Sequence, residues 1–410
     1  MNISGFIAKR IAFNEQKSFS RFVIRLSVSA TIISVMVMIV TLAFTGGFQK
    51  TISDKVFSFW GHIRIHNFEA VRVSIAEETP IVRNDSITSL PKAFPEIKSI
   101  QAYATKNAIL KTSESLEGVL FKGVENDYDF RNIDKFLVKG RWINFPDSGY
   151  SNEINLSESI AKQLKLDVND QLLIYFIQSG GASPRPRRLT IAGIFKTGIE
   201  EYDKLIAIGD LKLIQRLNGW AGDEVGGYEV FLKDYHDMDR LSEEIMYKIP
   251  IEYKSSTIEQ IFPNIFDWLN LQNQTIVIVL IIMVVIATLN LITCLLILVL
   301  DRTRMIGVLK AIGAKNWLVQ KVFLYHGAII SVAGLIGGNI LGLLVCWLQA
   351  KYGFIKLQEE AYYISTAAVH LVWWQVLLVN VLTFIICFLV LMIPTLIVKR
   401  IQPVKAIQFR

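Results

Sequence analysis

Residues 268–300 read WLNLQNQTIVIVLIIMVVIATLNLITCLLILVL, a run of 33 residues without one charged side chain. A helix needs about 20 consecutive, predominantly apolar residues to cross the hydrocarbon core of a bilayer. Three further uncharged runs are long enough for the same purpose: 24 residues at 26–49, 29 residues at 322–350 and 38 residues at 361–398. The sequence therefore predicts four membrane-spanning helices.

The composition of the whole chain supports this interpretation. Of its 410 residues, 52% are hydrophobic and 19% are charged, whereas soluble domains average about 25% charged residues. The net charge of +7 is unevenly distributed, because residues 46–272 carry −5 and the remaining segments carry +12. The basic excess belongs to the flanks of the spans, so we expect contact with membrane lipids and no nucleic acid partner.

Lysine and arginine residues outside the 46–272 block are concentrated in three segments, 1–25, 301–321 and 399–410. Short segments rich in these residues stay on the cytoplasmic side of a membrane. We therefore place both termini and the 301–321 loop in the cytoplasm, and residues 46–272 and 351–371 on the opposite side. An even number of spans makes this topology self-consistent.

The predicted fold class is an α-helical membrane protein with four transmembrane helices plus a large α+β extracytoplasmic domain inserted between the first and second spans. The predicted segments are a cytoplasmic amphipathic helix (1–25), the first span (26–45), the extracytoplasmic domain (46–272), the second span (273–300), a cytoplasmic loop (301–321), the third span (322–350), a short extracytoplasmic loop (351–371), the fourth span (372–398) and a cytoplasmic tail (399–410).

Two interpretations of the structure of the N-terminal region are open. Residues 3–20 place apolar side chains at helical spacing, which fits an amphipathic helix at the membrane surface, while a disordered basic lead-in is the alternative. The apolar run after residue 25 exceeds the ~7–15 residues usual in the hydrophobic region of a signal peptide. We interpret it as a retained span.

Two strand–helix–strand patterns frame the extracytoplasmic block. The first begins with the alternating stretch HIRIHNF (62–68), and the second ends with IEYKSST (251–257). Together they predict an α+β subdomain near the membrane, made of about residues 60–105 and 225–260. A β-rich insertion at about 106–222 interrupts it.

Within the insertion, two strand-like stretches are separated by a basic segment rich in glycine and proline. Proline fixes φ and removes a donor while the glycines permit a turn, so the pattern predicts a hairpin with a long tip. A solvated turn and a binding element are both open interpretations of such a tip. The candidate binding residues are Ser183, Pro184, Arg185, Pro186 and Arg187.

The sequence has no GxxxxGK[ST], HExxH, CxxC or GxSxG motif, so nothing indicates a nucleotide pocket, a zinc site or an activated serine. Its five histidines do not recur at metal-ligand spacing. We therefore expect no catalytic residues, no metal site and no cofactor held by this chain, and we do not expect an enzyme.

The third predicted span has a face without side chains, because Gly334, Gly338 and Gly342 recur every four residues. Such a face allows another backbone to approach closely and indicates tight helix packing. The partner is either a helix of the same chain or a helix of another subunit.

The cytoplasmic loop DRTRMIGVLKAIGAKNWLVQKV (301–322) is short and basic, yet it also carries apolar residues. These form a stripe of Met305, Ile306, Val308, Leu309 and Ile312. An exposed loop has no physical reason to carry such a stripe, so it docks into a protein groove or rests on the lipid surface.

Two segments resemble a known family. Residues 302–345, RTRMIGVLKAIGAKNWLVQKVFLYHGAIISVAGLIGGNILGLLV, resemble the coupling-helix and third-span signature of ABC transporter permeases of the MacB/FtsX superfamily. The ending IPTLIVKRIQPVKAIQFR resembles the closing pattern of that family, a proline-containing last span followed by Pro403, Ala406 and Arg410.

Three other segments narrow the resemblance. FIAKRIAF (6–13), GGFQKTISDKVFSFWGHIRI (46–65) and IAGIFKTGIEEYDKLIAI (191–208) are most similar to the lipoprotein-releasing permeases of the LolC/LolE type. Among them, the stretch GIEEYD (198–203) carries the resemblance to this type. The basic hairpin tip is a feature of this sequence rather than of the family.

The resemblance implies a complex in the bacterial inner membrane. It contains two permease subunits, this chain with a second copy or a paralogue, and two copies of a cytosolic ABC ATPase that binds the ATP. The implied activity is extraction of lipoproteins from the outer leaflet and transfer to a periplasmic carrier, for which the hairpin tip is a candidate contact. The implied coupling helix that seats in the ATPase consists of Arg304, Met305, Ile306, Gly307, Val308, Leu309, Lys310, Ala311, Ile312, Gly313 and Ala314.

Other functions remain open at this point. Within the superfamily, an FtsX-like regulator would transmit ATPase cycles to a cell-wall hydrolase, and a MacB-like permease would act in efflux. Outside it, a membrane-anchored sensor would bind a ligand with its extracytoplasmic domain and need no ATPase.

Overall fold

The structure is a computed structural model that describes residues 18–68, 79–112, 115–178 and 183–395. Most of the predicted N-terminal amphipathic helix and all of the predicted cytoplasmic tail therefore lie outside the described residues, as do Pro403, Ala406 and Arg410 of the closing pattern.

The described chain divides into two compact units. The helical unit consists of residues 18–50, 268–356 and 366–395, and the α+β unit consists of residues 51–267 and 357–365. Each unit is described by itself.

The helices of the described chain, in sequence order, are α1 (Ser18–Trp60), α2 (Asp85–Thr88), α3 (Leu90–Ala93), α4 (Glu158–Leu164), α5 (Glu200–Leu205), α6 (Leu211–Asn218), α7 (Met238–Met246), α8 (Ile258–Ile261), α9 (Pro263–Asp301), α10 (Thr303–Ala311), α11 (Asn316–Tyr352), α12 (Glu359–Tyr362) and α13 (Trp373–Thr395).

The strands are β1 (Ile63–Asn67), β2 (Ile81–Val82), β3 (Ile97–Lys111), β4 (Leu116–Val124), β5 (Leu137–Gly140), β6 (Glu153–Ser157), β7 (Gln171–Phe176), β8 (Arg185–Phe195), β9 (Ile206–Asp210), β10 (Glu224–Val225), β11 (Gly227–Leu232) and β12 (Tyr253–Thr257).

Four helices of the described chain, α1, α9, α11 and α13, are long and apolar enough to cross a membrane, which confirms the expected number of apolar spans. Helix α1 has 43 residues and α9 has 39. At 1.5 Å per residue each is about twice as long as the ~30 Å hydrocarbon core. Helix α1 continues past its predicted span end at residue 45 because Ile52, Val56 and Phe59 recur at helical spacing and are fully buried.

The helical unit is held by apolar clusters and by a few polar contacts between helices. One cluster includes Leu298 and Phe323, and a second includes Val35 and Cys346. Such contacts are made by van der Waals packing, because lipid tails are as apolar as the side chains.

Asparagine side chains join the helices of this unit. Asn339 of α11 donates to the Asn380 side chain of α13 at 2.7 Å, and Asn380 donates back at 2.9 Å. Asn290 of α9 donates to the Ser27 carbonyl of α1 at 3.0 Å. These amides set the relative register of the helices that they join.

In the α+β unit, strands β12, β1, β11 and β3 form an antiparallel sheet in that order. Ile63 of β1 lies opposite Val230 of β11 on one side and Thr257 of β12 on the other. Leu241 and Ile245 of α7 are fully buried. This part therefore combines strands from both ends of the predicted extracytoplasmic block.

The β-rich middle of the block closes into a ring of six strands. β3 pairs with β4, β4 with β9, β9 with β6, β6 with β8, β8 with β7, and β7 with β3. Closure removes the free edges that would otherwise pair with other chains. Inside it, the buried rings of Phe121 and Phe176 meet edge to face at 5.2 Å, where Gly209 leaves space for Phe121.

Strand β3 belongs to both parts of the α+β unit. Its residues 97–103 pair with β11 and its residues 103–111 pair with β4. The predicted boundary of the β-rich insertion lies near residue 106, whereas β3 continues through that position. The difference arises because alternation of side chains specifies a strand but not its neighbours.

The C-terminal end of α1 is anchored by a buried ion pair. Lys122 and Glu229 are both fully buried, with 2.7 Å between Nζ and Oε1. Lys122 also donates to the Phe59 carbonyl in the last turn of α1, and its ammonium lies 4.7 Å from the centre of the Trp60 ring. Because the last carbonyls of a helix lack helical partners and carry partial negative charge, the ammonium stabilises this end.

Candidate functional site

Helix α10 lies in the predicted cytoplasmic loop between α9 and α11. It ends where Gly313 adopts a φ of +94°, a conformation that favours glycine. The N–H of Ala314 donates to the Leu309 carbonyl at 2.9 Å, and the N–H of Gly313 donates to the Lys310 carbonyl at 3.1 Å. This Schellman motif ends α10 and lets α11 begin at Asn316.

The apolar stripe of this loop is divided between two faces of α10. Ile306 is fully buried, and Met305 and Leu309 pack against the apolar cluster that includes Leu298 and Phe323. Val308 and Ile312 are 47% and 76% exposed. One stripe in the sequence is thus two surfaces in the structure, one inside the helical unit and one outside it.

The exposed surface, which we call the outer face of α10, consists of Arg304, Val308, Ala311 and Ile312. Spacings of three and four residues place them on one side of the helix. Of the other candidates for ATPase contact, Gly307 is buried, Lys310 and Ala314 are half-buried, and Gly313 is exposed. Burial lowers the pKa of the Lys310 ammonium.

An exposed aromatic side chain that was not among the predicted contact residues follows α10 in the sequence. Trp317 is 54% exposed, and the Lys321 ammonium lies 5.3 Å from the centre of its ring. A tryptophan among the basic residues that follow α10 is the sequence signal that would have identified this side chain.

The glycine face of α11 packs on α1 of the same chain. A Cβ at Gly334 would lie 2.5 Å from Thr31 Cγ2, and a Cβ at Gly338 would lie 2.5 Å from Val35 Cβ. At Gly342 the nearest atom, Cβ of Ile39, is 3.1 Å away. The contacted positions on α1 also recur every four residues. Of the two partners that the sequence left open, the structure has the intramolecular one.

Strands β7 and β8 form a hairpin whose tip is shorter than the sequence indicates. Three of the five candidate residues, at 185–187, belong to β8. The guanidinium of Arg185 donates to the Leu217 carbonyl at 2.9 Å, which ties the hairpin to the end of α6. Residues 183–184 are exposed, and residues 179–182 lie outside the described part of the chain.

The stretch GIEEYD (198–203) consists of a bend at Gly198 and the first four residues of α5, and we call it the GIEEYD turn. The Asp203 carboxylate accepts hydrogen bonds from the N–H of Thr197 and the N–H of Gly198, both at 2.9 Å. Burial raises the pKa of Asp203, and these hydrogen bonds oppose that rise. Tyr202 is buried with its ring 6.0 Å from that of Trp60. These residues therefore hold one backbone conformation.

The described residues contain no group of His, Cys, Asp and Glu side chains that could hold a metal ion. A cavity of about 450 Å³ lies within the helical unit between α9 and α13. Its lining is apolar apart from Thr288 and Thr383. Such a cavity suits hydrocarbon and lacks the convergent polar groups of a catalytic site.

Comparison with known proteins identifies the family. Residues 26–246 match the family described as MacB-like periplasmic core domain, and residues 277–403 match the family described as FtsX-like permease C-terminal. In structure, the chain is similar to the periplasmic region of MacB from Actinobacillus actinomycetemcomitans, with a TM-score of 0.34 and 15% identity over 50% of this chain and 91% of that one.

Two curated relatives are similar over nearly the full length. The lipoprotein-releasing system transmembrane protein LolC of Xylella fastidiosa (strain 9a5c) is 24% identical, covering 96% of this chain and 95% of the relative. The corresponding LolE protein of Haemophilus influenzae is 22% identical, covering 99% of each chain. Because the MacB-like match covers more than half of the chain and the FtsX-like match covers most of the rest, this protein belongs to the MacB/FtsX family of membrane permeases.

Proposed function

We propose that this chain is a permease subunit of an ATP-driven complex that extracts lipoproteins from the outer leaflet of the bacterial inner membrane. The observation that carries the proposal is the similarity to LolC and LolE proteins over almost the whole chain. The complex passes each lipoprotein to a periplasmic carrier.

In the proposed topology, both termini and α10 are cytoplasmic, and the α+β unit is a periplasmic domain inserted between the first and second spans. The distribution of lysine and arginine along the sequence supports this orientation. The order of elements also supports it, because all twelve strands of the described chain lie between α1 and α9.

This chain is the non-catalytic subunit of the complex. A cytosolic ABC ATPase, present in two copies, binds and hydrolyses the ATP. The outer face of α10 supports such a partner. It exposes Val308 and Ile312 beside Arg304 at the end of a helix whose other face is buried. An exposed apolar strip with a basic rim fits a groove on another protein.

ATP is needed because of the chemistry of the cargo. Each CH₂ group of an acyl anchor buried in the membrane contributes about 0.8 kcal/mol. A lipoprotein with several acyl chains therefore does not leave the bilayer spontaneously at a useful rate. A second permease subunit, either another copy of this chain or a paralogue, completes the space from which the anchor is expelled.

A pull-down of the tagged chain in mild detergent, with mass spectrometry and an ATPase assay on the eluate, tests this function. We expect a P-loop ATPase together with a lipoprotein or its carrier, and the permease composition of the eluate shows whether the pair is homomeric. Recovery of the ATPase with a cell-wall hydrolase would support a regulator instead. Recovery of no ATPase would contradict the proposal.

Substitution of Ile312 sharpens the test of α10. I312D places a carboxylate on the outer face, where Ile312 is 76% exposed, so the protein still folds while ATPase recovery falls by about tenfold or more. The matched control is Y247D, at a side chain that is 90% exposed in the α+β unit. L309D should instead lower the yield of folded protein, since Leu309 packs inside the helical unit. Wild-type ATPase recovery with I312D would remove α10 from the interface.

A further inference from the structure

The short segment between α11 and α13 belongs to the α+β unit. Residues 357–365 contain α12, and the N–H of Leu357 donates to the Ser365 carbonyl at 3.0 Å, which closes the segment at its base. Along the chain it continues into α11 on one side and into α13 on the other. The segment is therefore linked covalently to two of the long apolar helices, α11 and α13.

Three contacts attach the segment to the rest of the α+β unit. The Glu359 carboxylate forms an ion pair with the Lys196 ammonium. The Lys55 ammonium, on α1, donates to the Tyr363 carbonyl at 2.6 Å. The Tyr363 hydroxyl donates to the Glu201 carboxylate at 2.8 Å. The attachment thus reaches α1, the residue after β8, and the GIEEYD turn.

Gly198 lies beside two of these groups, Glu359 and Lys55. Its φ is +73°. A Cβ there would lie 2.5 Å from Glu359 Oε1 and 2.7 Å from Lys55 Nζ. Glycine is therefore required both for the backbone conformation and for the space. The Asp203 carboxylate holds the turn in place by accepting from the Gly198 N–H.

The charges at this attachment are partly screened. The Glu359 and Lys196 side chains are 28% and 40% exposed. Burial lowers the pKa of Lys55, and the nearby carboxylates of Glu359 and Asp203 oppose that change. Partly exposed ion pairs are individually weak, so the segment is held by several contacts that can each be broken and remade.

We propose that the GIEEYD turn and residues 357–365 form a joint that makes the α+β unit follow movements of α11 and α13. Lys55, Lys196 and Glu359 act in it as positioning residues. The inference rests on the proposed function, since an ATP-driven movement of the spans is what the joint would transmit. It assigns a mechanical role to the GIEEYD motif.

The test uses the full complex reconstituted in vesicles, with ATP hydrolysis and lipoprotein release measured together. E359Q removes the negative charge of Glu359 and leaves the other charges of the joint in place. We expect release per ATP to fall by about fivefold or more while the rate of ATP hydrolysis stays within about twofold of wild type. Wild-type release by E359Q would overturn the proposal.

Glycine substitutions give a second test with a matched control. G198A introduces a Cβ into the contact with Glu359 and Lys55, whereas G149A introduces one at φ +79° with nothing within 4 Å. Both glycines have a positive φ, +73° at Gly198 and +79° at Gly149, so alanine strains the backbone at each position. We expect only G198A to lose release per ATP. Equal effects of the two changes would mean that the position matters only for folding.

A readout independent of cargo separates this inference from the proposed function. A fluorophore on Y247C, at an exposed position of a chain whose native cysteines are buried, reports ATP-dependent movement of the α+β unit. We expect the signal in the wild type and its loss in E359Q. If the α+β unit of the wild-type complex moves with ATP but no lipoprotein is released, the result contradicts the proposed function and still supports the joint. If the signal persists in E359Q, or is missing from the wild type, the joint fails.

Discussion

The two parts of α1 are held in opposite ways. Below residue 50 the helix packs against the glycine face of α11, where Thr31 and Val35 contact positions without side chains. At its other end, within the α+β unit, the helix is held by aromatic rings and by the ammonium of Lys122, which donates to the Phe59 carbonyl. One helix therefore carries two kinds of interface.

The comparison indicates that the surroundings of each part of α1, lipid or water, determine which interactions stabilise it. Between lipid-embedded helices, burial of apolar area yields no net driving force, so close approach of backbones and dispersion contacts must supply the attraction. In a water-exposed domain, burial of apolar surface provides stability. A buried ion pair such as Lys122–Glu229 persists there only because both of its members are present and hydrogen-bonded.

The largest effect on stability should come from breaking the charged interface. E229A leaves the fully buried Lys122 ammonium without its carboxylate, and we expect the α+β unit to lose about 3–5 kcal/mol of unfolding free energy. Chemical denaturation followed by the tryptophan fluorescence of the α+β unit measures this. D167A, which removes a pair whose side chains are about 60% exposed, is the control. A small effect of E229A on stability would contradict the view that a buried ion pair stabilises the C-terminal part of α1.

A smaller effect should follow from filling the glycine interface. G338V places a branched side chain where even a Cβ would lie 2.5 Å from Val35, and overpacking of this kind costs about 1–3 kcal/mol. Unfolding of the purified protein in detergent measures the loss. G118V is the control, since nothing lies within 4 Å of a Cβ at Gly118. Unchanged stability of G338V would show that α1 and α11 are not closely packed.

The smallest effect should be a pH dependence confined to the α+β unit. The His62 ring stacks on Phe57 at 4.6 Å, its Nδ1 accepts from the Leu232 N–H at 3.1 Å, and burial lowers its pKa from 6.5 to about 4. The folded state thus keeps His62 neutral. Its contribution to stability is complete above pH 6.5 and is lost as the pH falls from 6.5 toward 4.

Between pH 7 and pH 5.5 this linkage should cost about 1 kcal/mol of unfolding free energy. Denaturation curves at the two pH values measure the cost, and H62Q, which cannot titrate, should reduce the difference between the curves. An identical pH dependence in H62Q would assign the effect to other groups.

Much of the helical unit could be predicted from the sequence. Uncharged runs located the apolar helices because charge in a bilayer is costly, and the four-residue spacing of Gly334, Gly338 and Gly342 located a close contact. The spacing could not say which helix makes the contact, because a glycine face is equally suited to a helix of the same chain and to another subunit. The sequence also could not show that the apolar stripe of α10 divides into a buried and an exposed face, since Leu309 and Ile312 are equally apolar.

The α+β unit was less predictable. Alternation indicated strands on either side of the hairpin tip, but it did not indicate that β7 would close a ring with β3, or that Arg185 would lie on a strand and bond to Leu217. Strand pairing depends on contacts between residues far apart in sequence. A pattern local to one strand carries no information about them.

By itself, the sequence determined that this is a multi-pass membrane protein of the MacB/FtsX family, with four apolar helices, a basic loop between the second and third of them, and a large α+β block. These properties follow from transfer of single residues between water and lipid, and from short motifs, so they are readable along the chain. Tertiary structure alone decided which face of α10 is exposed, which helix fills the glycine face, and that Gly198 meets Glu359 and Lys55. Those outcomes depend on which distant surfaces pack together, because packing is set by shape and distance in three dimensions.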